Sequence, residues 1–96
     1  KVFGDLKQNV HRVAICAGSG KSDIDQAIAA GADVYVTGDI GHHEGIDALA
    51  RGLNIIDAGH YGVEHIFIGD MGNYLRAHLL GVEVIEAPVS HPFTVI

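Results

Sequence analysis

His60 and Glu64 are four residues apart, so a helix would bring both to one face. A neutral imidazole and a carboxylate in that arrangement suit zinc, iron or manganese. Asp57 lies close enough in sequence to accept the second ring N–H of His60, as carboxylates do behind metal-bound histidines. Two protein ligands are too few, because catalytic zinc sites generally have three. A helix N-terminus carries partial positive charge, which opposes a bare cation, so further anionic ligands must come from elsewhere. The same spacing also fits a helix cap followed by a surface His–Glu pair, and spacing alone leaves both readings open.

Two other segments carry polar groups where a strand should end. Thr37-Gly38-Asp39-Ile40-Gly41-His42-His43-Glu44 places Asp39 and His43 four apart, on one face if the turn is already helical. Otherwise Asp39 caps the following helix, and His42, His43 and Glu44 form its solvated first turn. Gly18-Ser19-Gly20-Lys21-Ser22 resembles the end of a phosphate loop, but Ile15 stands where that motif needs its first glycine. A nucleotide-hydrolysing loop is excluded on that ground. The segment fits either an anion cradle of backbone N–H groups, with Gly18, Ser19 and Gly20 as donors, or a tight strand-to-helix turn. His11, His65, His78 and His91 carry no pattern and read as structural or solvated.

The elements that must position these residues alternate. Residues 1–3 fit a short edge strand, and residues 11–17, 33–37, 53–56 and 82–85 fit further strands. Helices are expected over residues 22–30, 42–51 and 60–80. Ile46, Leu49 and Ala50 form the apolar side of the second helix. Gly69 and Gly72 weaken the middle of the third by about 1 kcal/mol each and mark close packing or a break. Such alternation predicts an α/β fold with a mainly parallel, mixed sheet and helices on its faces. In open sheets of this kind ligands bind beyond the carboxyl ends of the strands, which is where all three polar segments fall.

Composition narrows the function classes. A chain of 96 residues is one domain or part of one, and folding would bury about 60–65% of its unfolded surface. The formal charge of −6 disfavours nucleic acid, since no basic stripe is present to neutralise phosphates. Seven histidines are many for this length. The single Cys16 cannot form an internal disulfide and sits in a strand-like run as an expected buried thiol. No signal peptide is recognisable, which with the lone thiol points to the cytoplasm. No apolar run approaches the roughly 20 residues of a membrane span. The chain begins at Lys1 and its only methionine is Met71, so it is expected to be processed, excised or part of a longer product.

Thr37-Gly38-Asp39-Ile40 with His43, then Leu53-Asn54-Ile55-Ile56-Asp57-Ala58-Gly59-His60 with Glu64, resembles the Ngg-interacting-factor-three-like family. Its bacterial members are often called GTP cyclohydrolase 1 type 2 homologues. The Arg12-Val13-Ala14-Ile15-Cys16 strand with its Gly-Ser-Gly loop is similar too, as is His91-Pro92-Phe93, where the family usually has Asn-Pro-Phe. The resemblance spans nearly the whole chain in unbroken order.

The resemblance implies the C-terminal α/β half, residues 1–96, of a duplicated two-domain protein. That protein would hold two divalent metal ions in a cavity between its halves. His60 and Glu64 map onto the ligands of the C-terminal half, and Asp39 and His43 map near the cavity. A His-His pair, a further histidine and an aspartate would come from the N-terminal half, and His42-His43 is not that pair. Glu64 would bridge the ions or position water, His43 would transfer a proton, and the Gly18–Ser19–Gly20 loop would hold an anion of a phosphate-bearing small molecule. Ring-like homohexamers are implied as well. The expected activity is that of a metal-dependent hydrolase, the 96 residues alone being inactive. A rival is a metal-binding assembly protein without turnover. The threonine that family members often carry just before the glutamate is absent, since Gly62-Val63 stands there.

Overall fold

The computed structural model describes all 96 residues, which form two compact units, Lys1–Val63 and Glu64–Ile96. The first unit holds β1 (Val2–Phe3), β2 (Val13–Ser19), a 3-10 turn (Gly20–Asp23), α1 (Ile24–Ala29), β3 (Val34–Gly38), α2 (His42–Ala50) and β4 (Asn54–Asp57). Helix α3 (His60–Glu64) follows, and α4 (Ile66–His78) belongs to the second unit.

The sheet order is β1-β4-β3-β2. β2, β3 and β4 are mutually parallel, whereas β1 pairs antiparallel at the edge of β4. Register fixes which side chains share a face. Phe3 stands opposite Ile55, Ile55 opposite Tyr35, and Tyr35 opposite Ala14. Ile24 and Ala27 of α1, Ala48 of α2, and Leu53 pack with that row, so both helices lie on one face of the sheet. The alternate row is Val2, Ile56, Val36 and Ile15. Val2, Ile56 and Ile15 in it are exposed, Ile15 by 75%.

The carboxyl ends of β2 and β3 are tied by buried polar groups. Tyr35 Oη donates to the Gly20 carbonyl at 2.9 Å, and Gly20 N–H donates to Thr37 Oγ1 at 2.9 Å. Burial, with Cys16 beside it, pushes the Tyr35 phenol up to about 12. The phenol therefore stays a donor throughout the useful pH range. Tyr35→Phe is expected to cost about 1–2 kcal/mol, because the Gly20 carbonyl loses its donor in a site closed to water. Urea denaturation would check this, and an unchanged midpoint would contradict it.

Several expectations need correction. The second helix buries Gly45 and Ala48, while Ile46 and Leu49 are exposed. A Cβ on Gly45 would fall inside the Phe3 ring, so the small residues face inward because an aromatic ring occupies the space. The long third helix is two helices. At His65 the ladder tightens, with Ile68 N–H donating to the His65 carbonyl three residues back. The break thus falls before Gly69 and Gly72. Residues 82–85 are not a strand. In the second unit Arg76 of α4 instead pairs with Glu86 at 2.7 Å and donates to the Val84 carbonyl at 3.3 Å. Glu86 also packs where a side chain on Gly72 would stand. Cys16 is half-buried, its thiol 3.6 Å from Asp23 Oδ2. No helix is long and apolar enough to cross a membrane.

Candidate metal centre at the ends of β3 and β4

Parallel pairing sets Thr37 opposite Asp57, so the chain leaves β3 and β4 side by side. The two loops touch closely. Gly38 lies against the backbone of Gly59 and His60, where a Cβ would come within 2.6 Å of the Gly59 carbonyl carbon.

Asp57 organises these loops. Its carboxylate accepts N–H bonds from Asp39 at 3.1 Å, Ile40 at 3.1 Å and Gly59 at 2.9 Å. The Lys1 ammonium pairs with it at 2.7 Å, and the Asp57 side chain is only 2% exposed. Burial pushes this carboxyl up, but the Lys1 ammonium and the Gly59 and Ile40 N–H groups outweigh it. The net result lies below the ordinary value.

Asp39 is the only non-glycine residue with positive φ, at 55°. Aspartate tolerates this left-handed conformation better than most residues. From there its Oδ2 lies 2.8 Å from His60 Nδ1. The carboxylate behind His60 is therefore Asp39 and not Asp57, which is spent on backbone N–H groups. A carboxylate at Nδ1 favours the Nδ1–H tautomer, which leaves the lone pair on Nε2. That is one of the two forms in which a neutral histidine ligates a metal, so the donor chemistry of His60 fits a divalent ion.

Helix α3 begins at His60 and ends at Glu64. Asp39 and His43 do not share a helical face. Asp39 is left-handed, and α2 begins at His42 with Gly41 as its N-cap, so Asp39 does not cap it either. His43 lies in the first turn of α2, its ring edge-on to His42 with centroids 5.4 Å apart. In the Gly18–Ser19–Gly20 segment the Gly20 N–H is already committed to Thr37, so it is not an anion donor. No three His, Cys, Asp or Glu side chains converge on a point that could hold a metal ion. Sequence spacing did not reveal the Asp39–His60 pair, since the two residues are 21 positions apart. The left-handed Asp39 after a glycine is the signal that accompanies it.

A protein-family model described as Duf34/NIF3 (NGG1p interacting factor 3) matches residues 1–92. The chain belongs to the Duf34/NIF3 family. It is 45% identical over 83 residues to a GTP cyclohydrolase 1 type 2 homolog of Lactococcus lactis subsp. lactis, covering 86% of this chain and 32% of that protein. It is 53% identical over 64 residues to a protein of the same name from Streptococcus pneumoniae serotype 4, covering 67% of this chain and 24% of the other. The crystal structure of Staphylococcus aureus protein SA1388 superposes with a TM-score of 0.87 at 35% identity, covering all of this chain and 33% of that one. This Duf34/NIF3 chain thus spans about a third or less of the relatives that it matches.

Proposed function

We propose that this chain is the C-terminal part of a longer metal-dependent hydrolase, in which His60 and Glu64 are two ligands of a dinuclear divalent site. The observation that carries the reading is the Asp39 carboxylate at His60 Nδ1. A carboxylate there favours a tautomer that can ligate, and Glu64 follows His60 at the four-residue spacing of a helical metal pair. Divalent ions, when bound, supply Lewis acidity and acidify a coordinated water. Zinc, iron and manganese all suit this donor pair.

The chain's own residues divide the remaining work. Glu64 positions the nucleophilic water, and His43 transfers a proton at the reacting group. Gly18 and Ser19 at the carboxyl end of β2 orient an anionic substrate group, with Gly20 excluded by its bond to Thr37. A phosphate-bearing small molecule fits the loop and the cyclohydrolase names of the relatives. The family resemblance supports a homohexamer, and a single cysteine without a disulfide partner in the chain suits the cytoplasm.

The remaining ligands come from the other half of the polypeptide. Parallel sheets are normally covered on both faces. Here the Val2, Ile56 and Ile15 row is exposed, which supports a reading in which further protein covers it.

Metal content of the complete protein tests the assignment. His60→Ala and Glu64→Gln are each expected to remove at least half of the bound divalent metal and to abolish any phosphoester or nucleotide turnover. Calorimetric titration of the 96-residue chain alone should give weak or undetectable binding. Unchanged metal content in both variants would sink the proposal.

A further inference from the structure

Both halves of the Asp39–His60 pair hang from one buried carboxylate. Asp57 receives the N–H of Asp39, which sits in the left-handed conformation, and the N–H of the next residue, Ile40. It also receives the N–H of Gly59, the residue immediately before His60. The loop after β3 and the loop after β4 are therefore referenced to the same two oxygen atoms. Lys1 closes the arrangement, pairing with Asp57 Oδ2 and donating to the Ile40 carbonyl at 3.1 Å.

We propose that Asp57 is a positioning residue that sets the tautomer of His60 through Asp39. It acts through the backbone N–H groups of Asp39, Ile40 and Gly59. Its three N–H bonds hold Asp39 at φ 55° and hold the turn into α3, and those two constraints together bring Asp39 Oδ2 onto His60 Nδ1. Without them Asp39 has every steric reason to return to negative φ, which swings its carboxylate away. The contact that favours Nδ1–H is then lost, and the equilibrium moves toward the Nε2–H form that imidazole prefers in water. That form puts the proton on the nitrogen that a metal would need.

The inference gives the proposed metal site its second tier, and its test requires no metal. Long-range 1H–15N NMR of the His60 ring, in mildly alkaline metal-free solution, reads the tautomer directly. The wild-type chain is expected to be mainly Nδ1–H. Asp57→Asn replaces one acceptor oxygen by a donor NH2 opposite the backbone N–H groups. It should move the ring mainly to Nε2–H while the amide spectrum of β2 and α1 stays in place. Asp57→Glu keeps the charge but not the reach. It should give a mixture, and it serves where the asparagine variant does not fold. Asp39→Asn should reproduce the Asp57→Asn shift, because it breaks the same chain of contacts one step later.

A role limited to stability would leave the tautomer of the folded variants unchanged. Folded Asp57→Asn or Asp57→Glu with the wild-type Nδ1–H signal overturns the proposal, as does a wild-type ring that is already Nε2–H. Tautomer shifts as expected, together with unchanged metal content in His60→Ala and Glu64→Gln, would sink the metal assignment and leave the positioning role standing.

Discussion

Gly38→Ala is expected to destabilise the first unit by about 3 kcal/mol and to displace the turn that carries His60. The added methyl would lie 2.6 Å from the Gly59 carbonyl carbon, 2.7 Å from its oxygen and 2.7 Å from His60 N. All three are backbone atoms, so no side-chain rotation relieves the overlap. Overpacking in a closed site typically costs about 1–3 kcal/mol, and more where only backbone movement can relieve it. The conformation of Gly38 itself is not left-handed, so the cost is contact and not torsional strain. Gly62→Ala is the matched control. Its Cβ would meet only Ala58 Cβ at 3.6 Å, an ordinary contact, and alanine favours the helix by about 1 kcal/mol over glycine. Urea denaturation should separate the two variants clearly. The amide signals of Gly59 and His60 should shift in Gly38→Ala alone. A Gly38→Ala midpoint equal to wild type would show that the two loops are not in the contact described.

The same loops explain what the sequence could and could not reveal. Local patterns sufficed for the strands and helices of residues 1–57, because β-branched runs and glycine stops are properties of neighbours in the chain. Phe3 at the edge, the strand into Gly38 and the helix from His42 were all legible in that way. Their packing was not. Ile46 and Leu49 look like the inward face of α2 until β1 adds Phe3 to the sheet and takes that space, leaving Gly45 as the residue that fits beneath the ring. Residues 82–85 read as a strand from composition alone. Strand pairing needs a partner edge, and Arg76 holds the segment through Glu86 and the Val84 carbonyl instead.

The candidate site divides along the same line. The helix over His60–Glu64 was legible because four-residue spacing is local, whereas spacing left its role open between a metal pair and a surface pair. The carboxylate behind His60 was misread because sequence distance favoured Asp57, three residues away. The parallel pairing of Thr37 with Asp57 brings Asp39 there from 21 residues away. Asp57 itself turns toward the backbone, where it accepts three N–H groups of the loops, that of Ile40 buried and those of Asp39 and Gly59 partly so.

Asp57→Ala should therefore cost about 3 kcal/mol at neutral pH, and the cost should shrink on acidification. A buried N–H left without an acceptor, as that of Ile40 would be, costs about 1–3 kcal/mol, and the partly buried Asp39 and Gly59 groups share the site, so their smaller penalties do not simply add. Against a total stability of about 5–15 kcal/mol this is a large fraction. The pH dependence follows from the sign of the carboxyl shift. Burial raises the Asp57 value, but the Lys1 ammonium and the Gly59 and Ile40 N–H groups pull it below its ordinary 3.8. A group depressed in the folded state contributes stability that is fully present above its unfolded value. That contribution is lost as pH falls through the folded value. Wild-type stability should thus decline below about pH 4, and the gap to Asp57→Ala should narrow over the same range. The variant should keep some acid sensitivity, because Asp33 is depressed in the same direction by N–H bonds from His11 and Arg12. Urea midpoints of both proteins from neutral pH into acid would measure the gap. A difference that stays constant through the carboxylate range would mean that the ionised Asp57 carboxylate is not what holds these strand ends together.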